Sequence, residues 1–115
     1  MKITTLKRNT EFKRLYYRGK SVVGGYVVLH LIKNRFGDSR IGITVSKKIG
    51  KAVIRNRARR LIKEAYRKEI DRLKAGYDMV FVARSKIVGT DFQKVRADMR
   101  FLFRTADLYR KSDRQ

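Results

Sequence analysis

The apolar residues of this chain change period partway along, and that change limits the folds open to it. Over residues 40–46 they alternate. Ile41, Ile43 and Val45 point one way, and Arg40, Gly42, Thr44 and Ser46 point the other, as in a strand with one face on a core. Over residues 52–73 the period becomes helical. Over residues 77–83 a strand returns that is apolar on both faces, the mark of a central strand. Upstream, Gly24-Gly25 precedes a β-rich run at 26–32, and the turn at 34–39 contains Gly37-Asp38. Asn9-Thr10-Glu11 caps a short first helix, with Glu11 near its positive end. Phe12, Leu15 and Tyr16 share one side of that helix, and Gly19 stops it. Thr90-Asp91-Phe92-Gln93 reads as a capping box for a last helix, with Phe92, Val95, Met99, Leu102, Phe103 and Ala106 as its buried stripe. Helix, strands, helix, strand, helix is an α+β order, with helices layered on a small sheet.

One domain is expected over residues 1–115, with a polar, frayed tail from about residue 110. Apolar residues make up 43% of the chain, enough for a packed interior, yet 31 Lys/Arg stand against 10 Asp/Glu, a net charge of +21. Like charges held within a compact body repel and destabilise it. The composition therefore calls for a polyanion partner: nucleic acid first, an anionic membrane surface second. With no cysteine there is no disulfide, thiolate zinc site or thiol catalysis. Met1 to Arg8 carries charge where a signal peptide needs an apolar run, and the longest greasy stretch, 26–32, is far short of a membrane span. The expected location is the cytoplasm.

The charge is densest over residues 47–68, which hold ten Lys/Arg and one acid, Glu64. At roughly 100° per helical residue, with Ile54 as origin, Ala58, Leu61, Ile62 and Ala65 form an apolar stripe. Arg55, Asn56, Arg59, Arg60, Lys63 and Arg67 fall on the far side, and Arg57 sits at the edge. A merely solvated helix face alternates its signs for i,i+4 pairing; here nearly all signs agree. The preference for Arg suits phosphate, which a guanidinium grips with two parallel hydrogen bonds. Asn56 adds a group able to read a base edge or a 2′-OH. Phe12 and Tyr16, four apart, form an aromatic side beside Lys13, Arg14 and Arg18. Such pairs are most often core, but beside cations they also make stacking platforms for single-stranded nucleic acid.

Catalysis by the chain itself finds little support. His30 is its sole histidine, with no acid near it in sequence, whereas a metal-free ribonuclease needs a general acid and a general base. Asp78 and Asp91 have no metal-site spacing. A structural ribosomal or RNA-chaperone protein has the same composition. A DNA-binding module would lay the basic helix in a major groove, but the apolar stripe keeps that helix on its sheet and a single amide offers little base readout.

The run Val45-Ser46-Lys47-Lys48-Ile49-Gly50-Lys51-Ala52-Val53-Ile54-Arg55-Asn56-Arg57-Ala58-Arg59-Arg60 resembles the "RNR" signature of the bacterial ribonuclease P protein family. Arg40-Ile41-Gly42, Phe12-Lys13-Arg14-Leu15-Tyr16 with Gly19-Lys20-Ser21, and Phe101-Leu102-Phe103-Arg104 resemble it too, so the likeness covers most of the chain. The resemblance implies an α–β sandwich of the ribosomal protein S5 domain 2-like kind, ordered α-β-β-β-α-β-α. Its left-handed βαβ crossover breaks the usual right-handed rule. It further implies a subunit of a ribonucleoprotein that removes the 5′ leader of precursor tRNA, whose RNA subunit carries the chemistry and, with the substrate, binds Mg²⁺. The residues implied to face that RNA are Lys47, Lys48, Lys51, Arg55, Asn56, Arg57, Arg59, Arg60 and Lys63. Those implied to hold the leader are Phe12, Tyr16, Ser21, His30, Arg40, Thr44 and Ser46. No catalytic or metal-binding residue, no membrane and no stable protein partner is implied. Ala58-Arg59 departs from the family's usual larger aliphatic residue and Lys, and His30 stands where Tyr or Phe is usual.

Overall fold

The computed structural model describes residues 3–111. Its elements are β1 (Thr4–Thr5), α1 (Asn9–Arg18), β2 (Lys20–Val23), β3 (Val27–Lys33), β4 (Arg40–Thr44), α2 (Ala52–Glu69), β5 (Tyr77–Ala83) and α3 (Phe92–Thr105). Short 3-10 turns at Lys47–Ile49, Ile70–Arg72 and Ser85–Ile87 connect them. The sheet runs β1-β4-β5-β3-β2. β4 and β5 are parallel neighbours joined through α2, which is the implied βαβ unit. β3 pairs antiparallel with both β5 and β2. β5 is central, as its two apolar faces require. The radius of gyration is 13.3 Å, the size expected of one compact domain of this length.

The sheet is covered on both faces. Alternation sends Val27, Leu29, Leu31, Ile41, Val45, Met79, Phe81 and Ala83 to one side, where they pack with Ile62, Ala65 and Tyr66 of α2 and Val95, Met99, Leu102 and Phe103 of α3. On the other side, Leu15 of α1, Leu6 and Val80 form a smaller core with Phe12, Ile32 and Val82 against it. Phe12 lies on Gly42: a Cβ there would stand 2.6 Å from its ring, so only glycine lets α1 come this close.

Four local expectations are corrected. Two-residue β1 precedes α1, giving one strand more than the expected order. Asn9 is the first residue of α1; Arg8 is the N-cap, and the Glu11 carboxylate accepts from the Lys7 and Arg8 N–H groups. Asp91, in place of Thr90, caps α3: the helix starts one residue later, at Phe92, so the Asp91 carboxylate is the side chain placed to accept from Lys94 N–H. The helix expected to reach residue 73 ends at Glu69 and tightens into a 3-10 turn. Of the expected tail, Arg110 donates its backbone N–H to Arg72, and residues 112–115 lie outside the described residues.

Two clamps fix the layers. The Asp98 carboxylate accepts three backbone N–H groups, from Gly25, Tyr26 and Val27, and ties α3 to the β2–β3 turn. Buried Glu69 accepts from the Tyr109 hydroxyl at 2.7 Å and pairs with Arg96 and Arg100. Burial, with Glu69 beside it, pushes the Tyr109 phenol up to about 12.

Candidate nucleic-acid interface

α1 divides its face of the sheet in two. Phe12 and Tyr16 lie on one flank of the helix, and Glu11, Arg14 and Arg18 on the other, by the helical repeat. The strand register sets Ser21, His30, Val80 and Gly42 in one row beneath α1, and Val23, Val28, Val82 and Thr44 in the next. Val80 is fully covered, whereas Val28, Val82, Thr44 and His30 remain half-buried. Beside α1 this leaves a half-exposed strip of sheet, bordered by Phe12 and Tyr16 and surfaced by His30, Val28, Val82 and Thr44, which is the candidate groove. Tyr16 is 44% exposed and meets His30 edge to face, with centroids 4.8 Å apart. Burial holds the His30 imidazole below its ordinary range, so at neutral pH it is an uncharged ring with one donor and one acceptor. Exposed Ser21 sits opposite His30 across the β2–β3 pair.

The structure thus brings together Phe12, Tyr16, Ser21, His30 and Thr44, with Ser46 just beyond β4. It places Arg40 apart from them. Arg40 lies on the opposite flank of α1, where Nε and Nη2 donate to Asp78 at 2.9 and 2.6 Å and Nη1 donates to Glu11. Burial opposes ionisation of Asp78, but hydrogen bonds from Arg40 and Asn34 and the charges of Arg40 and Arg14 outweigh it and hold the carboxyl below its ordinary value. Val28 and Val82 join the floor through strand pairing, which no local pattern in the sequence encodes.

From Thr44 the chain leaves the floor, passes exposed Ser46, Lys47 and Lys48, and enters α2. The buried face of α2 consists of Ala58, Ile62, Ala65, Tyr66 and Glu69. It is centred near Ile62, so Ile54 and Arg55 change places relative to the sequence expectation. Ile54 is 38% exposed, while Arg55 turns inward, half-buried, its Nε enclosed without a hydrogen-bond partner among the described residues. Arg57 donates to the Thr90 carbonyl at 2.9 Å, which anchors α2 to the loop before α3. Lys47, Lys48, Lys51, Asn56, Arg59, Arg60 and Lys63 are exposed. Among the described residues none of these cations pairs with a carboxylate, whereas Arg67 pairs with Glu64 at 3.6 Å. Between α2 and Phe92 a concavity of about 470 Å³ is lined by Leu61 and Phe92, by Arg57, Arg60, Lys63 and Arg67, and by Glu64. Asp78 and Asp91 do not meet: one serves Arg40 and Asn34, the other caps α3.

Unpaired cations on a helix, one turn away from a groove with aromatic walls, define an RNA-binding α+β protein that can hold phosphates on one surface and unstacked bases on the other. Comparison with known proteins narrows this class. The family model described as Ribonuclease P matches residues 1–107. The ribonuclease P protein component of Thermoanaerobacter sp. (strain X514) is 46% identical over 108 residues, covering 94% of this chain and 93% of the relative. That of Clostridium botulinum (strain 657 / Type Ba4) is 42% identical over 110 residues, covering 95% and 99%. Among solved structures, the Staphylococcus aureus RNase P protein aligns with a TM-score of 0.85 at 28% identity, covering 95% of this chain and all of that one. The Thermotoga maritima protein aligns at 0.79 and 32%, covering 87% and 96%. The chain belongs to the ribonuclease P protein family, whose members are the protein subunits of an endoribonuclease of tRNA 5′ maturation and work with the ribonuclease P RNA.

Proposed function

We propose that this chain assists an RNA catalyst and cleaves nothing by itself. The α2 surface and the Ser46–Ile49 turn dock on the catalytic RNA, and the groove beside α1 receives the single-stranded 5′ leader of precursor tRNA. The observation that carries this reading is the continuity of the two surfaces: five residues of chain separate Thr44 on the groove floor from Gly50 before α2. A leader leaving the RNA active site would thus enter the groove without crossing a neutral surface. The groove suits a ligand of varied sequence, since ring faces stack on any base and few groups in it read a base edge. The contribution to rate is positioning and charge neutralisation, both realised without a protein acid or base.

Mg²⁺ belongs to the RNA subunit and the substrate in this reading. Among the described residues no three His, Asp or Glu side chains gather as a metal site. The cytoplasm, where tRNA is processed, is the proposed location; no helix among the described residues is long and apolar enough to cross a membrane.

The test is reconstitution. The protein is mixed with bacterial ribonuclease P RNA at low Mg²⁺, and cleavage of a precursor tRNA carrying a 5′ leader is measured. Rescue of cleavage is expected, with none by protein alone. No rescue with a cognate RNA, or cleavage by protein alone, would overturn the proposal.

A further inference from the structure

The β3–β4 loop carries an aromatic ring that neither core uses. Phe36 is 67% exposed. A lone exposed phenylalanine is ordinary at a protein surface, but this one is held from beneath and from behind. One ring face rests on Arg40, whose guanidinium carbon lies 4.4 Å from the ring centroid. Arg40 is itself immobilised between Asp78 and Glu11. The Phe36 backbone N–H donates to Asn34 Oδ1 at 3.0 Å, while Asn34 Nδ2 donates to Asp78 Oδ1 and to the Asp38 carbonyl, both at 2.9 Å. One buried carboxylate, Asp78, therefore fixes both the cation under the ring and the side chain that orients the turn carrying it. The other ring face is left to solvent with its position already set, so a ligand stacking there pays little ordering entropy.

The surroundings restrict what can stack. Phe36 is flanked by Arg35, Gly37 and Asp38, with Lys33 exposed at the end of β3 and Arg14 on the adjoining flank of α1. Its sequence neighbours Arg35, Gly37 and Asp38 bring no apolar side chain to extend the ring into the pocket that a protein anchor residue needs. A flat ligand tied to phosphates fits a single ring among cations better.

We propose that Phe36, seated on Arg40, is a second stacking platform, taking one unpaired nucleobase of a bound RNA on the side of α1 away from the groove. The proposal rests on the ribonuclease P reading for its choice of RNA. The base comes either from the ribonuclease P RNA or from the precursor tRNA, and the two arms of the test separate these sources.

The chain has no tryptophan, so Phe36→Trp keeps a ring at the site and introduces a single tryptophan, excited selectively on the red side of the tyrosine band. Ribonuclease P RNA is titrated first, and a precursor tRNA with a 5′ leader is then added to the preformed complex. Tryptophan emission of the F36W variant should be quenched in one arm. In that same arm Phe36→Ala should lose affinity by about five- to 150-fold, the range of one stacked base. Phe36→Leu, which keeps bulk and lacks a π-face, should lose affinity as alanine does. Unchanged emission in both arms, or leucine binding as tightly as phenylalanine, would overturn the platform. Tyr16→Ala serves as the control: if it weakens precursor binding while all Phe36 variants behave as wild type, the platform fails and the ribonuclease P reading stands. Wild-type protein that binds neither RNA would sink that reading itself.

Discussion

Arg59→Ala/Arg60→Ala tests the α2 surface directly, because its effect can be worked out beforehand. Both side chains are exposed, and among the described residues neither is neutralised by a carboxylate; the Arg59 guanidinium has only a long contact, 3.4 Å, with Asn56 Oδ1. If each meets one phosphate, their loss should flatten the slope of log K against log salt by about 0.7–0.9 per contact, hence by about 1.4–1.8 for the pair. Doubling the salt concentration would then narrow the affinity gap between wild type and variant by about threefold. Arg67→Ala is the internal comparison. Its charge is already shared with Glu64, so its slope change should be smaller. Titration of labelled ribonuclease P RNA with protein at four or five salt concentrations measures all three. An unchanged slope in the double variant, with its melting temperature preserved, would refute phosphate binding by this surface.

Four further outcomes follow from the same geometry. Tyr16→Ala should weaken holoenzyme binding of leader-bearing precursor more than of mature tRNA, and an equal loss would remove the groove from the argument. Asp98→Ala deprives three backbone N–H groups of their acceptor, two of them partly buried, and should cost about 2–4 kcal/mol in urea unfolding. Glu11 is held below its ordinary value chiefly by the Arg8 backbone N–H, and Asp78 by the net of burial against Arg40 and Asn34. Both are depressed carboxylates, so their stabilisation is complete above about pH 5, beyond the unfolded-state values, and is lost as pH falls through the folded-state values. Melting temperature against pH should show this decline, and Arg40→Met, which leaves buried Asp78 with Asn34 as its hydrogen-bond donor but without its ion pair, should shrink it by the Asp78 share while the Glu11 share persists. Sulfate should raise the melting temperature of the RNA-free protein by screening and binding to a body of charge +21, whereas a melting point indifferent to anions would contradict the self-repulsion argument.

The parts of this fold that depend on local pattern are readable in the sequence. Strand alternation at 40–44, the two apolar faces of β5 and the α3 stripe each follow from side-chain direction within one element. Features set by contact between distant segments are not. β1 is two threonines whose only reason to be a strand is parallel pairing with β4. The orientation of α2 is more instructive. A stripe drawn through its aliphatic residues starts at Ile54 and leaves Arg55 outside. The actual face includes Tyr66 and Glu69, and Glu69 tolerates burial only because Arg96, Arg100 and Tyr109 arrive from α3 and the segment after it. Once that ionic cluster fixes the C-terminal end of the helix, the first turn is rotated so that Val53 is 79% exposed and Arg55 is carried inward. Arg40 follows the same logic: its place in the strand marks it as groove-facing, yet two carboxylates from other elements capture it. In a chain with 31 cations and 10 acids, carboxylates hold Arg40, Arg96 and Arg100 in the structure, and backbone carbonyls hold Arg57 and Arg84. The cations they leave unpaired on α2 and the turn before it are the ones proposed above to meet the catalytic RNA.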